Sequence, residues 1–163
     1  MTAIHEPFMR QCFDLAISAA RKGNHPFGAL LVHRGEVILT AENTVNSDDD
    51  RTRHAELNLM AAARRRFPLA VIRECTVYTS MAPCMICTAV FWDLDVGRVV
   101  FGVSYHAFHK LRGQKMQAIP GDEIYRLTGK PLVWVGPVLE EEGLAVFRHW
   151  PEGDPYRRQF RHD

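Results

Sequence analysis

Long apolar runs are missing from this chain: no stretch approaches the ~20 consecutive apolar residues of a membrane-spanning helix. Its first residues carry His5, Glu6 and Pro7 ahead of an amphipathic segment, without the continuous apolar core of a secretory signal. Charge of one sign is lacking too. The formal net charge is +1, so no global field draws the protein to nucleic acid or to a membrane. Internal repeats, low-complexity tracts and long linkers are absent. The 163 residues therefore read as one domain, 1–150, followed by a C-terminal tail, 151–163. A chain of this length buries about 70% of its unfolded surface. Cysteine is sparse, and the four present do not read as two disulfides. Cys84 and Cys87 stand in metal-ligand spacing, while Cys12 and Cys75 fall where small core residues are expected. The cytoplasm is the expected compartment.

What is present is an alternation of helical and extended patterns. Phe8, Cys12, Leu15, Ala16 and Ala19 recur at helical spacing between Pro7 and Lys22, and Gly23-Asn24 ends the run. Gly28 to His33 and Glu36 to Asn43 read as strands joined by a tight turn at Arg34-Gly35. The polar stretch Asn46 to Arg53 leads into an Ala-, Leu- and Met-rich helix, His54 to Arg66, stopped ahead of Pro68. Thr76 to Thr79 is a strand, and a helix begins at Pro83 or Cys84. Arg98 to Gly102 and Leu132 to Val135 are further strands, the stretch from Ser104 to Gln117 a loop, and Leu139 to Trp150 a final helix. This order predicts an α/β domain whose mixed five-stranded sheet is covered on both faces.

His54-Ala55-Glu56 and Pro83-Cys84-Met85-Ile86-Cys87 carry the chemistry. One imidazole and two thiolates suit Zn2+ and leave a fourth tetrahedral position open, as in a catalytic site. Bound zinc brings the pKa of water towards about 7. Glu56, two residues beyond the histidine, is then free to move protons. The expected reaction is zinc-hydroxide attack on a ring carbon bearing an amino group, with Glu56 as proton shuttle and ammonia as leaving group. A structural site or a redox pair is the alternative. The structural site would pair the cysteines with His106 and His109 and leave His54-Ala55-Glu56 without a purpose.

These residues resemble the cytidine deaminase-like superfamily, whose signature is H-x-E followed by P-C-x-x-C. The resemblance runs through Pro26-Phe27-Gly28-Ala29, Glu42-Asn43, the two zinc segments, Gly97 to Gly102 and Val135 to Glu142. It implies a three-layer α/β/α sandwich, zinc-dependent hydrolytic deamination and a homodimer. It makes His54, Cys84 and Cys87 the ligands and Glu56 the shuttle. Asn43 and Phe27 become substrate contacts, with backbone at Ala55 and the Pro83-Cys84 turn touching water or base. His106 is placed at the pocket mouth; a helix-surface position is its alternative. Two departures stand out: Ala82 where many relatives have Glu, and Ala89 to Leu94 where they carry a glycine-led run.

Substrate is read less sharply. Pro26-Phe27-Gly28 resembles guanine deaminases, yet Ser104 to Gln117 holds no acidic residue where they carry a Phe-Asp-Asp element. An aminopurine-like base or nucleoside is the expectation, ahead of cytosine or cytidine. RNA, as in transfer-RNA adenosine deaminases, is disfavoured by the near-zero charge, since Arg64-Arg65-Arg66 complements a helix C-terminus. An inactive zinc-binding scaffold is the reading from another functional class. Tyr156 and Phe160 are read as possible caps over the site.

Overall fold

Arg34 and Gly35 both adopt left-handed backbone, with φ of 50° and 86°, the conformation that folds two strands into a tight hairpin. The strands they join are β1 (Gly28–His33) and β2 (Glu36–Glu42). In the computed structural model, which describes residues 3–113, Ile119 and residues 121–154, they form one edge of a five-stranded sheet. The remaining strands are β3 (Thr76–Met81), β4 (Arg98–Val103) and β5 (Val133–Val135), and the order is β2-β1-β3-β4-β5. β1 runs antiparallel to both neighbours, whereas β3, β4 and β5 are parallel. The sheet is mixed, as the hairpin predicts.

Alternation along the strands sorts two cores. Leu30, Val32, Tyr78 and Val100 face α1 (Glu6–Arg21) and α7 (Glu140–Val146), with Met9, Cys12 and Phe13 packed on them. Ala29, Leu31, Val77 and Val99 face the other way, onto Leu59, Met60 and Phe91 of α2 (Ala55–Arg66) and α4 (Met85–Asp93). Leu30, Leu31 and Leu59 are wholly buried, each contributing about 1.5–3 kcal/mol from desolvation. The result is the three-layer α/β/α sandwich. Cys12 and Cys75 are both buried free thiols inside these cores.

Five stretches depart from the sequence reading. Leu69–Glu74 forms a short α3 and Glu123–Thr128 an α6, neither long enough to show a period. The segment read as a loop from Ser104 contains α5 (Tyr105–Leu111), started by Ser104, whose Oγ accepts from the Ala107 amide at 3.2 Å. The final helix is shorter than its pattern: α7 ends at Val146 and tightens into a single 3₁₀ turn, Phe147–His149, before Pro151. β2 stops at Glu42 because the Asn43 side chain takes over the next turn, its Oδ1 accepting from the Val45 amide at 3.1 Å. Tyr156 and Phe160 lie outside the described residues.

Candidate active site

Two helix starts meet above the C-terminal end of β3. His54 is the N-cap of α2, Cys84 is the N-cap of α4, and Cys87 follows in the first turn of α4. Both caps are extended, so each side chain swings clear of its own helix while the unpaired amides of the first turn point the same way. Cys84 Sγ lies 3.5 Å from His54 Nδ1 and 3.5 Å from Cys87 Sγ, and Cys87 Sγ lies 3.5 Å from the same nitrogen. Tetrahedral zinc, with Zn–S of ~2.3 Å and Zn–N of ~2.0 Å, spaces its ligand atoms by roughly 3.5–3.8 Å. The donor triangle fits that ion. Among the described residues the metal-capable group is His54, Cys84 and Cys87; His106 and His109 are not part of it.

The electrostatics agree with a cation site. The hydrogen bond between Cys84 and Cys87, with a second to the His54 imidazole, holds the Cys84 thiol down to about 4. The hydrogen bond with Cys84, and then burial, push the Cys87 thiol up. The pair thus stores one negative charge, and a divalent cation turns both sulfurs into thiolates. His54 is raised chiefly by its bond to Cys84, with a smaller upward contribution from the Arg51 backbone. That backbone is the acceptor for the ring nitrogen turned away from the sulfurs.

Glu56 sits in the first turn of α2, 7% exposed, and stays outside the donor triangle. Burial, reinforced by the Cys84 thiolate, pushes its carboxyl above the ordinary range. Thr79 Oγ1 donates to its Oε1 at 2.9 Å.

A cavity of about 160 Å³ opens over these groups. His54, Cys84 and Glu56 form its polar floor, and Asn43 and His25 stand at its walls. Phe27, Met81, Ala82, Tyr105 and Phe108 supply the apolar lining. Phe27 does both things the sequence allows: it lines the cavity and packs edge-on against Phe147 and Trp150, with ring centroids 5.9 and 5.6 Å away. Asn43 likewise closes the strand and lines the cavity. Its Oδ1 is committed to Val45, which leaves the amide donors for a ligand.

Three of the sequence-predicted substrate contacts are not among the described residues lining the cavity. Ala55 is wholly buried at the start of α2, Pro83 is buried in the turn before Cys84, and His106 is exposed on the first turn of α5. The neighbouring Tyr105 points inward in place of His106, and burial pushes its phenol upward. Sequence reasoning missed His25, Thr79 and Met81 as site residues. The signal for His25 was its place directly before Pro26-Phe27; for Thr79 it was strand alternation carried to the end of β3.

The cytidine and deoxycytidylate deaminase zinc-binding region matches residues 2–103 of this chain. A protein described as a probable cytosine deaminase from Schizosaccharomyces pombe is 31% identical over 155 residues, covering 90% of this chain and 91% of the relative. The guanine deaminase of Bacillus subtilis is 33% identical over 90 residues, 54% of this chain and 58% of that protein. A transfer-RNA-specific adenosine deaminase from Buchnera aphidicola is 33% identical across 63% of this chain and 68% of its own length. Among solved structures, a guanine deaminase from Nitrosomonas europaea superposes with a TM-score of 0.73 at 19% identity, covering 86% of this chain and 80% of that one. That last likeness is one of fold.

Proposed function

The chain belongs to the cytidine and deoxycytidylate deaminase family, and we propose that it catalyses zinc-dependent hydrolytic deamination of an amino-substituted nucleobase or nucleoside. Water and the amino compound give the corresponding oxo compound and ammonia. The carrying observation is the donor triangle of His54, Cys84 and Cys87, with a buried carboxylate beside it that is not needed as a ligand.

When bound there, zinc lowers the pKa of a water towards about 7, so that a nucleophile exists at neutral pH. Glu56 takes one proton of the attacking water and carries it to a ring nitrogen as the C–O bond forms. It then takes the adduct's hydroxyl proton and delivers it to the amino nitrogen as the C–N bond breaks. A carboxyl whose affinity for protons is raised by burial suits that shuttle better than a solvated one. Asn43 offers its amide to the base, and Phe27 with Phe108 holds the ring plane. The cavity is close in size to one of about 150 Å³ that takes up a benzene ring, so a base fits inside and a sugar extends from the mouth. An aminopurine-like substrate is placed first on the Pro26-Phe27-Gly28 element, with cytosine next on the full-length likeness to the yeast relative. No helix of the described residues is long and apolar enough to cross a membrane. The cytoplasm as compartment, and a homodimer to be checked by light scattering, complete the reading.

The test is ammonia release by the zinc-loaded protein from guanine, adenine, isoguanine, cytosine, their nucleosides and amino-triazines. Turnover of one member supports the reading and identifies the ring. Silence across the panel with zinc bound would overturn it in favour of a folded RNA substrate or a scaffold.

A further inference from the structure

Tyr105 lines the cavity beside His54, Glu56 and Cys84, and its hydroxyl has no hydrogen-bond partner among the described residues. The ring that carries this hydroxyl is nonetheless held from several sides. Ser104 starts α5 directly before it, and the Ser104 amide donates to Glu140 Oε1 at 2.9 Å. One helical turn on, His109 stacks on the ring, with centroids 6.0 Å and planes 24° apart. Met81, Val103 and Phe108 form the apolar cluster against which Tyr105 packs. In such a wall a phenylalanine would pack as well, and a phenol costs free energy unless its hydroxyl is bonded. The strand order also places Tyr105 across the cavity from Asn43. Asn43 follows β2, Phe27 precedes β1, Met81 ends β3 and Tyr105 lies just past β4, all at one edge of the sheet. β1 and β3 therefore separate Asn43 from Tyr105, by roughly 14 Å at the backbone.

We propose that Tyr105 is a specificity-determining residue of this pocket, its hydroxyl hydrogen-bonding a polar atom on the flank of the base that faces away from Asn43. The proposal rests on the deaminase reading for its ligand. A base seated in a cavity of about 160 Å³ displaces water from the hydroxyl, and a base that cannot replace that bond binds more weakly. A phenol both donates and accepts. A carbonyl, an unprotonated ring nitrogen or an N–H group satisfies it, whereas a C–H group does not. The substrate class is thus an amino-heterocycle with polar atoms on two opposite flanks: one flank meets the Asn43 amide donors, the other meets Tyr105. A ring bare on the second flank is rejected.

The test is steady-state kinetics of the full-length zinc protein and its Tyr105→Phe variant. The substrates are the best-turned-over panel member and its analogues with one ring nitrogen replaced by C–H or one carbonyl removed. Where an analogue is not turned over, its inhibition constant against the parent is read instead. On the parent, Tyr105→Phe should raise KM about three- to ten-fold, the worth of one net hydrogen bond. The value of kcat should change little, because the bond is made in ground state and transition state alike. On the one analogue that lacks the atom met by Tyr105, the two proteins should bind equally, since no pair is left to break. Zinc content and the midpoint of unfolding should be unchanged, because the variant removes no hydrogen bond among the described residues. An unchanged KM in Tyr105→Phe, or the same penalty on every analogue, would overturn the proposal alone. A wild type silent on every panel member would overturn the deaminase reading and this proposal with it.

Discussion

Thr79 Oγ1 lies 2.9 Å from Glu56 Oε1 and 3.0 Å from the carbonyl oxygen of Met81. One hydroxyl proton serves both partners in turn. With Glu56 ionised it points to the carboxylate; with Glu56 protonated the hydroxyl accepts from the acid and donates to Met81. Both proton states of the Glu56 carboxyl are satisfied without moving a backbone atom. Thr79→Val, of the same shape, should therefore lower kcat by about ten-fold or more, the worth of a hydrogen bond to a charged group. Thr79→Ser should restore most of it. Equal kcat in the valine variant would show that Glu56 needs no such partner.

Glu56→Gln removes the proposed proton carrier and keeps the size of the side chain. Ammonia release should fall by at least about 10²-fold, the usual contribution of a positioned acid–base group. Zinc content should not change, because Glu56 stands outside the donor triangle. A variant that loses its zinc would make Glu56 a ligand and sink the assignment.

Chelation should abolish turnover and also lower the midpoint of thermal unfolding. An ion that binds only the folded chain stabilises it by about 2.7 kcal/mol at a hundred times its Kd. Restoring zinc should return both properties. Cys84→Ser should bind zinc weakly by elemental analysis, since the variant replaces the thiolate that His54 and Cys87 jointly stabilise. A midpoint insensitive to the chelator would mean that the α2 and α4 starts are held together by packing alone.

Gly28 is where α1 presses on the sheet. A Cβ there would stand 2.5 Å from the Cys12 carbonyl oxygen and 2.8 Å from the Ala16 amide nitrogen, both backbone atoms of α1. Gly28→Ala should destabilise the fold by about 1–3 kcal/mol, the usual cost of overpacking. It should also raise KM, because Phe27 precedes it in the cavity wall. Urea unfolding and kinetics read the two effects; an unchanged midpoint would mean that α1 yields freely.

Much of this site was legible before any coordinate. His54, Glu56, Cys84 and Cys87 are chemically uncommon residues in short spacings, and a short spacing survives folding: i to i+3 at a helix start keeps Cys84 and Cys87 side by side. The strands showed through because short apolar and β-branched runs are a local signal, and the Arg34-Gly35 turn because it demands left-handed backbone. α3 and α6 are too short to display a period, and α5 is announced only by Ser104.

The sequence by itself determined the candidate donor set, the carboxyl beside it and the layered α/β order, since each depends on residue type and near-neighbour spacing. Tertiary structure alone decided which residues stand around that chemistry. Tyr105 faces the cavity while His106 faces solvent, a difference of one position that helix rotation sets. Thr79 meets Glu56 across 23 residues, and Asp154 meets Asn46 across 108. Such pairings follow from the packing of distant elements on one sheet, and no local pattern in the chain encodes them.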